Sequence, residues 1–561
     1  MIRSNCGFRL PSIMWPLRVR VILPPFENSK VAHSMTRSDS NAPHSAHASS
    51  DRRFFGHPAG LLTLFFAEMW ERFSYYGMRA ILVLFMAASV EVGGLGFGDT
   101  PKGVIYALYT SMVYFAGLAG GWLADNIIGQ RRAVFWGGVV IMLGHISLAF
   151  QGLAFFFLGL VLIIIGTGLL KPNISTIVGL LYDAKDTRRD SGFAIYYMGI
   201  NIGSFFGQTA CGFMAQHSWF KRNFLVPLRI SEAASWHWGF AAAAVGMFFG
   251  LVVFVWKGGL MGNAGLNPNP HASELDAARR KRTLLVSSAV IAGIILFVAA
   301  ATWVAIASGV EVNPNTLATI VNVTFGLLLL TLTVFSFGRV IFLSDLAIEE
   351  RNRMIVILIL FFASVLFWGA FEQAGGSLNL FADEKSQLSV FGFEFPSSWY
   401  QNVNPFAIMV LSPAFAFLWL RLGERAPSSP AKFSIALILV GGGFVIAALG
   451  SRLFDNNGTR ISPAWLFWVY ILHTLGELCL SPIGLSMVTK LAPQRAVSQV
   501  MSIWFLANAN ANFLAGQTVA LNEKLGGDTQ IFWAIAAVTI VAGVVLALLV
   551  RPIKKMMGGV H

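Results

Sequence analysis

The sequence predicts an all-α polytopic membrane protein: two six-helix bundles with two further transmembrane helices inserted between them. Three observations lead to this prediction. Of the 561 residues, 56% are hydrophobic and only 12% are charged, which is typical of a polytopic membrane protein rather than of several soluble domains. Fourteen apolar segments follow one another along the chain. The arginine and lysine residues between those segments concentrate in alternate loops, as membrane topology requires.

Each apolar segment has roughly the 20 residues that an α-helix needs to cross about 30 Å of hydrocarbon. The segments form groups of six, two and six. In chain order they are 60–88, 103–124, 132–151, 153–180, 191–215 and 237–256, then 284–307 and 316–343, then 354–381, 401–420, 432–451, 464–490, 496–521 and 530–550.

Charged linkers at 257–282 and 344–353 bracket the central pair of segments. This grouping indicates an insertion between two related halves, as expected for a fold built from paired six-helix bundles. The predicted parts are a tail at 1–57, a bundle at 58–256, a linker with two inserted helices at 257–353, and a second bundle with a short tail at 354–561.

An even number of spans places both termini on one side of the membrane, and the positive-inside rule makes that side cytoplasmic. Lys221, Arg222 and Arg229, in the loop after the fifth span, are a local exception. The formal charge of +13 follows from this topology, so we expect no nucleic-acid partner. The basic clusters on the predicted cytoplasmic side are Arg52/Arg53, Arg131/Arg132, Arg188/Arg189, Arg279 to Arg282, Arg351/Arg353, Arg421/Arg425, Lys490/Arg495 and Arg551 to Lys555.

Residues 1–57 are rich in Pro, Ser, His and Arg, and we expect this tail to be disordered. Its short apolar run is too brief for a convincing signal peptide, and Met35 is an alternative start of the protein. Cys6, Cys211 and Cys479 show no paired or metal-type spacing. We therefore expect no disulfide, no metal site and no other cofactor.

The first span carries an unusual polar stripe. Glu68, Glu71, Arg72, Tyr75, Tyr76 and Arg79 follow offsets of 0, 3, 4, 7, 8 and 11, so they share one face of a helix. A charge at the bilayer centre costs about 2.5–3.5 kcal/mol even on a mild insertion scale. A structural ion-pair cluster or an interfacial helix would also present such a stripe, but the cost favours a polar cavity through which something charged passes.

Four other spans show the same pattern. Lys171 lies beside Pro172 in the fourth span, where proline removes a backbone hydrogen bond and loosens the helix. Asn201 belongs to an uncharged polar stripe in the fifth, which interhelical hydrogen bonding alone would also explain. Glu372 in the ninth span and Glu477 in the twelfth are membrane carboxylates. The first half thus supplies cations and the second half only carboxylates, a distribution suited to alternating access.

These residues carry a family resemblance. The segment from Glu68 through Glu71-Arg72 into Phe-Ser-Tyr-Tyr-Gly resembles the signature of proton-dependent oligopeptide transporters, a branch of the major facilitator superfamily. Phe193 to Gly207 resembles that family's second signature, and Gly121 to Arg132 resembles the cytoplasmic loop motif of the superfamily. The likeness runs from about residue 60 to 550, and the inserted pair of helices matches bacterial members. It implies the major facilitator fold with fourteen transmembrane helices, in a cell inner membrane.

The resemblance also implies residue roles. Glu68, Glu71, Arg72 and Glu372 match proton-coupling positions, with Arg72–Glu372 and Lys171–Glu477 as salt-bridge gates. Arg72, Arg79 and Lys171 would bind a peptide carboxylate, whereas Glu477, Asn201 and Asn404 would bind its amino group. Where mammalian members have a functional histidine, this chain has Ile105-Tyr106-Ala107-Leu108, so coupling would depend on carboxylates. Side-chain pocket and cavity-wall positions match Tyr75, Tyr76, Tyr114, Trp368, Ser481, Trp504 and Asn508.

The predicted function is proton-coupled symport of di- and tripeptides by a monomer in contact with membrane lipid. Two alternatives stay open: the same fold carrying nitrate or another small solute, and a peptide sensor that does not transport. The set of Lys171, Asn201 and Glu477 favours a zwitterion, because an anion does not need Glu477. An enzyme is not expected, since the spans contain no HExxH pattern, catalytic Asp pair or Ser/His nucleophile arrangement.

Overall fold

Thirteen long α-helices run through the residues that the computed structural model describes, which are 54–183, 186–268, 314–342, 346–493 and 497–558. All of them belong to one compact unit, residues 47–561. Apolar side chains point outward along much of their length, as expected where helices face lipid rather than water.

Six helices make up the first part of the described chain. The first helix, α1, packs against α5 and α6, while α4 packs against both α2 and α3. Their bounds are α1 Gly60–Ala87, α2 Asp99–Leu123, α3 Gln130–Leu148, α4 Leu153–Leu180, α5 Arg189–Gln216 and α6 Ser235–Trp256.

Seven helices follow. Their bounds are α7 Pro314–Phe342, α8 Ile348–Phe371, α9 Val403–Leu422, α10 Ser429–Asn457, α11 Ala464–Leu491, α12 Val497–Ala520 and α13 Asp528–Met556. Helix α10 packs against α11 and α13, and α12 packs against α8 and across to α2.

The backbone breaks directly after α8. A 3₁₀ turn at Glu372–Gly375 leads into a short helix, Ser377–Lys385, and then into a hairpin of Ser389–Val390 and Phe393–Glu394. A second 3₁₀ segment, Ser397–Asn402, leads into α9. The predicted single span 354–381 is therefore two helices with a carboxylate at the break.

The predicted spans compare well with these helices wherever the structure describes them. Eight helices of the described ranges are long and apolar enough to cross a membrane. Helix α1 is not among those eight, and it carries the four charged side chains of the polar stripe. Of the two predicted inserted spans, 316–343 corresponds to α7, whereas 284–307 lies outside the described residues. The count of fourteen spans and the division into domains stay predictions.

The end of the predicted tail is ordered. Residues 54–57 form a tight turn closed by backbone hydrogen bonds between Phe54 and His57. The His57 Nδ1 atom lies 3.0 Å from the Tyr182 hydroxyl, and Arg188 donates to the carbonyl of Gly56 at 3.0 Å. These contacts attach the turn to the loop between α4 and α5. The rest of the predicted tail, with Met35, lies outside the described residues.

Close helix crossings in the first six helices depend on glycine. A Cβ atom at Gly137 would lie 2.7 Å from the carbonyl oxygen of Gly166, so α3 and α4 touch backbone to backbone. Gly120 of α2 meets the carbonyl of Gly168 in the same manner. Small residues at such crossings let membrane helices approach closely, and this positions α4 with its lysine against α2.

Gly120→Ala should destabilise the protein, because the new methyl group meets backbone atoms of α4 that cannot move away. Overpacking of this kind costs about 1–3 kcal/mol, visible as a lower apparent Tm in detergent. Gly117→Ala is the matched control one turn away on α2, where nothing lies within 4 Å of the added Cβ. Equal melting temperatures for the two variants would contradict the close crossing.

Candidate functional site

The polar stripe of α1 faces the interior of the helix assembly. Glu68, Glu71, Arg72 and Arg79 are at most 7% exposed, although they lie in the middle of a 28-residue helix. Burial to this degree requires partners for the charges. The structure supplies those partners from the same helix and from the 3₁₀ turn that follows α8.

Arg72 is held within its own helix. Its Nε atom donates to Glu68 Oε1 at 2.7 Å and lies 2.8 Å from Glu71 Oε2. Neither oxygen of Glu71 has hydrogen-bond geometry to a donor among the described residues. One guanidinium therefore serves two buried carboxyl groups.

The expected Arg72–Glu372 ion pair is not formed in this structure. Arg79 pairs with Glu372 instead, and its Nη2 atom also lies 3.4 Å from the Glu372 carbonyl oxygen. The reason is depth along the membrane: Arg79 lies seven residues, or about two turns, farther along α1 than Arg72. That position is level with the break that follows α8.

Two residues of other elements shape this ion pair. The Arg79 Nε atom donates to the Tyr106 hydroxyl of α2 at 3.0 Å. A Cβ atom at Gly375 would lie 2.9 Å from Arg79 Nε, so glycine leaves room for the guanidinium. Tyr106 belongs to the segment Ile105-Tyr106-Ala107-Leu108, which stands where mammalian members have a functional histidine. The sequence alone assigns no function to this tyrosine.

Lys171 lies at a loosened point of α4. Pro172 cannot donate to the helix, and nearby polar side chains bind the carbonyls around it: Asn173 donates to Leu169 at 2.7 Å and Thr176 to Pro172 at 2.9 Å. The Lys171 ammonium lies 3.8 Å from the centre of the Tyr114 ring, a cation–π contact. Lys171 forms no ion pair with any residue in the described ranges.

The partners of Glu477 among the described residues are neutral. Its carboxylate accepts hydrogen bonds from Asn404 at 2.9 Å and from the Tyr197 hydroxyl at 3.3 Å. Asn404 also donates to Thr474 at 3.0 Å, and Asn201 donates to the backbone carbonyl of Tyr197 at 3.0 Å. The expected Lys171–Glu477 salt bridge is thus not formed in this structure. Tyr197 lies one turn before Asn201 on the polar stripe of the fifth span, and the sequence alone does not connect it to Glu477.

Of the other predicted site residues, Tyr75 and Tyr76 lie beside the charges of α1, and Trp368 lies beside the break after α8. The Arg72 and Arg79 guanidinium groups lie 5.7 and 6.0 Å from the ring centres of Tyr75 and Tyr76. Trp368 contacts Phe371 beside the break at 5.2 Å. Trp504 is buried against Phe361 and Phe433, and Asn508 is half-buried. The side chain of Ser481 lies outside the described residues.

A row of hydrogen bonds joins α1 and α5 to the segment that follows α8. Gln216 donates to Ser397 at 2.8 Å, and Trp399 donates to the carbonyl of Thr209 at 3.0 Å. Asn379 donates to the carbonyl of Ala80 at 2.7 Å. These contacts lie at the end of the assembly where α1 and α5 finish, which is also the end of the Arg79–Glu372 pair. The site is closed at that end, and no sequence pattern singles out Gln216.

Comparison with known proteins identifies the family. A family model described as "PTR2: POT family" matches residues 131–534. The uncharacterized transporter YclF of Bacillus subtilis is 42% identical over 512 residues, covering 90% of this chain and 96% of its own. A di-/tripeptide transporter of Lactococcus lactis subsp. cremoris is 36% identical over 520 residues, covering 91% and 99%. The chain belongs to the POT family.

The structural comparison agrees. A crystal structure of a peptide transporter POT in complex with sulfate has a TM-score of 0.79 to this POT protein at 40% sequence identity, covering 91% of this chain and 98% of that one. The resemblance derived from the signature residues is therefore confirmed. The chain is a multi-pass membrane transporter and not an enzyme.

The buried charges of this transporter do not all pair with one another. Arg79 and Glu372 form one pair, and Arg72 serves Glu68 and Glu71. Lys171 and Glu477 have no ion-pair partner in the described part of the chain, and they come from α4 and α11. Within the same part of the chain, no group of three or more His, Cys, Asp or Glu side chains is placed to hold a metal ion.

Tyr106→Phe should weaken the closed end of the site, because it leaves the buried Arg79 Nε without its hydroxyl acceptor. A buried unsatisfied group costs about 1–3 kcal/mol, so the apparent Tm in detergent should fall. The control is Tyr109→Phe, one turn along α2, whose buried hydroxyl has no hydrogen-bond partner in the described structure. The proposed importance of Tyr106 is wrong if Tyr109→Phe destabilises the protein as much.

Proposed function

We propose that this POT transporter is a proton-coupled symporter that imports di- and tripeptides by alternating access. The observation that carries the proposal is a pair of charges that form no ion pair within the described residues: Lys171, which is partly buried, and Glu477, which is buried. A buried charge without a counter-ion is unfavourable. A ligand with one cationic end and one anionic end would neutralise both residues at once.

Short peptides have this charge distribution. Their carboxylate would bind Lys171 and their amino group would bind Glu477, through charge-assisted hydrogen bonds. Asn404 donates to the Glu477 carboxylate at 2.9 Å and so orients it. Asn201 lies one turn from Tyr197, whose hydroxyl also contacts Glu477. Arg72 and Arg79 are occupied by carboxylates in this structure, so Lys171 would be the first group to bind the peptide carboxylate.

Variable side chains of the peptide would contact an aromatic wall. Tyr75, Tyr76, Tyr114, Trp368 and Trp504 offer broad apolar surfaces, which accept varied shapes without requiring one. The proposed wall and pocket also include Asn508 and Ser481. The relative named as a di-/tripeptide transporter supports this cargo class.

Proton coupling would use the carboxylates that compete for guanidinium groups. Glu68 and Glu71 both contact Arg72, so a proton on either carboxylate would change how strongly the cluster holds the guanidinium. Protonation of Glu372 would remove the attraction that ties Arg79 to the break after α8, opening the closed end. This cycle differs from the sequence expectation in naming Arg79, rather than Arg72, as the group that Glu372 releases.

The proposed setting is the cell inner membrane, with fourteen spans and both termini in the cytoplasm. The two bundles, 58–256 and 354–561, would rock against each other while the linker 257–353 inserts its two helices, and the unit would be a monomer without a cofactor. One inward positive charge gains about 2.3 kcal/mol per 100 mV, which is enough to drive accumulation.

A nitrate or small-anion carrier is the second candidate, and a peptide sensor is the third. An anion would bind Lys171 but would leave Glu477 buried without a counter-ion, so the anion carrier does not explain that residue. Glu477 therefore favours the zwitterion.

Lys171→Gln and Glu477→Gln should each lower dialanine uptake into proteoliposomes about ten- to a hundredfold, since hydrogen bonds to charged groups contribute about 1.5–3 kcal/mol. The two variants should differ in competition with end-blocked peptides. A peptide with a blocked carboxylate should compete no worse in Lys171→Gln than a free one, and a peptide with a blocked amino group should behave likewise in Glu477→Gln. Unimpaired uptake in Glu477→Gln would refute the amino-group assignment and would make nitrate the next cargo to test.

Glu71→Gln should uncouple the proton from the cargo. We expect concentrative uptake, driven by an inside-alkaline and inside-negative gradient, to fall strongly while exchange of labelled for unlabelled dialanine persists. Glu91→Gln is the control, because Glu91 is exposed in the loop after α1. Gradient-driven uptake that survives in Glu71→Gln would exclude this residue from coupling.

A further inference from the structure

Two apolar grooves lie side by side on the outer surface of the helix assembly, and both are bordered by Trp399. The first measures about 470 Å³ and runs along α1 and α5, past Phe73, Ile202 and Ala210. The second measures about 320 Å³ and runs between α5, α9 and α11, past Phe205, Val410 and Ile471. The substrate site described above uses no residue of either groove.

Both grooves lie on the surface of the helix assembly that would contact membrane lipid. Phe206 beside the first groove is 57% exposed, and Phe406 in the second is 56% exposed. Thr209 is one of the few polar residues of the first groove, and its groups are already bonded: its carbonyl accepts from the Trp399 indole at 3.0 Å and its hydroxyl accepts from Asn402 at 3.0 Å. The first groove therefore suits a hydrocarbon chain.

The end of the grooves that lies nearest the last residues of α5 is polar. Trp399 lies about two turns below the end of α5, a depth at which tryptophan is typical of the membrane interface. Its ring is 6.4 Å from that of His217, and Phe213 of the first groove is 6.0 Å from Trp219. Lys221 and Arg222 follow directly in the chain. These are two of the three basic residues that break the positive-inside pattern.

The two basic residues differ in availability. Lys221 is half-buried, and burial lowers its pKa, while Glu232 and Asp383 lie close enough to oppose that shift. Arg222 is exposed and forms no ion pair within the described ranges. Arg222 is therefore the cation that an anionic head group would meet.

One polar atom of the second groove lacks a hydrogen-bond donor among the described residues. Asn402 lines the second groove and is 9% exposed, and its Oδ1 atom has no hydrogen-bond donor among the described residues. A buried acceptor without a donor is unfavourable. A hydroxyl of a lipid head group or glycerol unit would satisfy it.

We propose that one anionic two-chain phospholipid of the phosphatidylglycerol type straddles Trp399, with one acyl chain in each groove and its phosphate at Arg222. The two grooves match two chains joined at one end, the shared tryptophan lies where those chains meet, and the free cation and free acceptor lie at the head-group end.

Such a lipid would stabilise one arrangement of the transporter. The grooves combine residues of α1 and α5 with residues of the 399–411 segment and α11, and the Trp399–Thr209 bond joins these elements. If the closed end opened, the walls would separate. A ligand that binds only one arrangement shifts the equilibrium toward it, so the bound lipid would favour closure at the Arg79–Glu372 end.

Native mass spectrometry of the full-length protein, extracted from vesicles of phosphatidylglycerol and phosphatidylethanolamine, tests the site without relying on transport. Wild type should retain one phosphatidylglycerol. Ala210→Trp fills the first groove and Val410→Trp the second, so both should lose it. Val245→Trp is the control, because Val245 is an exposed apolar residue of α6 that lines neither groove.

The head-group contact is tested by Arg222→Gln, which should weaken phosphatidylglycerol retention about fivefold, since one basic residue near an anionic lipid contributes about 1 kcal/mol. Lys524→Gln removes the same charge from another exposed loop position and should leave retention unchanged. Equal retention in wild type, Arg222→Gln and both groove variants would overturn the proposal, as would equal retention of phosphatidylglycerol and phosphatidylethanolamine by wild type. Arg222 is exposed, so its variant remains decisive even where a tryptophan variant does not fold.

Discussion

The ion pair between Arg79 and Glu372 joins the first helix to the break after α8, and much of the site is arranged around it. Tyr106 accepts from the same guanidinium at 3.0 Å, and Gly375 leaves the space that the guanidinium occupies. An ion pair inside a membrane is strongly attractive when formed and costly when one partner is left alone. In the proposed cycle this asymmetry would make the ion pair a switch, because a single proton on Glu372 would remove the attraction.

The same requirement explains the remaining charges. Arg72 contacts two carboxylates of its own helix, so its charge has counter-ions without the second half of the protein. Within the part of the chain that the structure describes, Lys171 contacts an aromatic ring and Glu477 accepts from neutral donors, and neither forms an ion pair. The proposed zwitterionic cargo would supply both missing counter-charges.

Hydrogen bonds, as well as the Arg79–Glu372 ion pair, close one end of the site. Backbone and side-chain hydrogen bonds join α1 and α5 to the segment 379–402, and Trp399 both forms one of these bonds and borders the two apolar grooves. The inner surface that would bind cargo and the outer surface that would bind lipid therefore meet at these hydrogen bonds. A change in them would affect both surfaces.

The sequence by itself determined the helices and their polar faces. Periodicity of 3.6 residues places Glu68, Glu71, Arg72 and Arg79 on one stripe whatever surrounds it, and segment length and hydropathy predicted α7 as well as the spans of the core. The signature residues likewise identified the family. These features are local, because each depends only on neighbours along the chain.

Only the tertiary structure decided which charges meet. Arg72 and Arg79 share a face, so periodicity cannot tell which of them reaches Glu372. The answer depends on the depth of α1 relative to the break after α8, 293 residues away in sequence. Tyr106, Tyr197 and Gln216 escaped prediction for the same reason, since an aromatic hydroxyl or an amide gains its function from a partner on another helix. Packing, through close glycine crossings and the break at Glu372–Gly375, sets those depths.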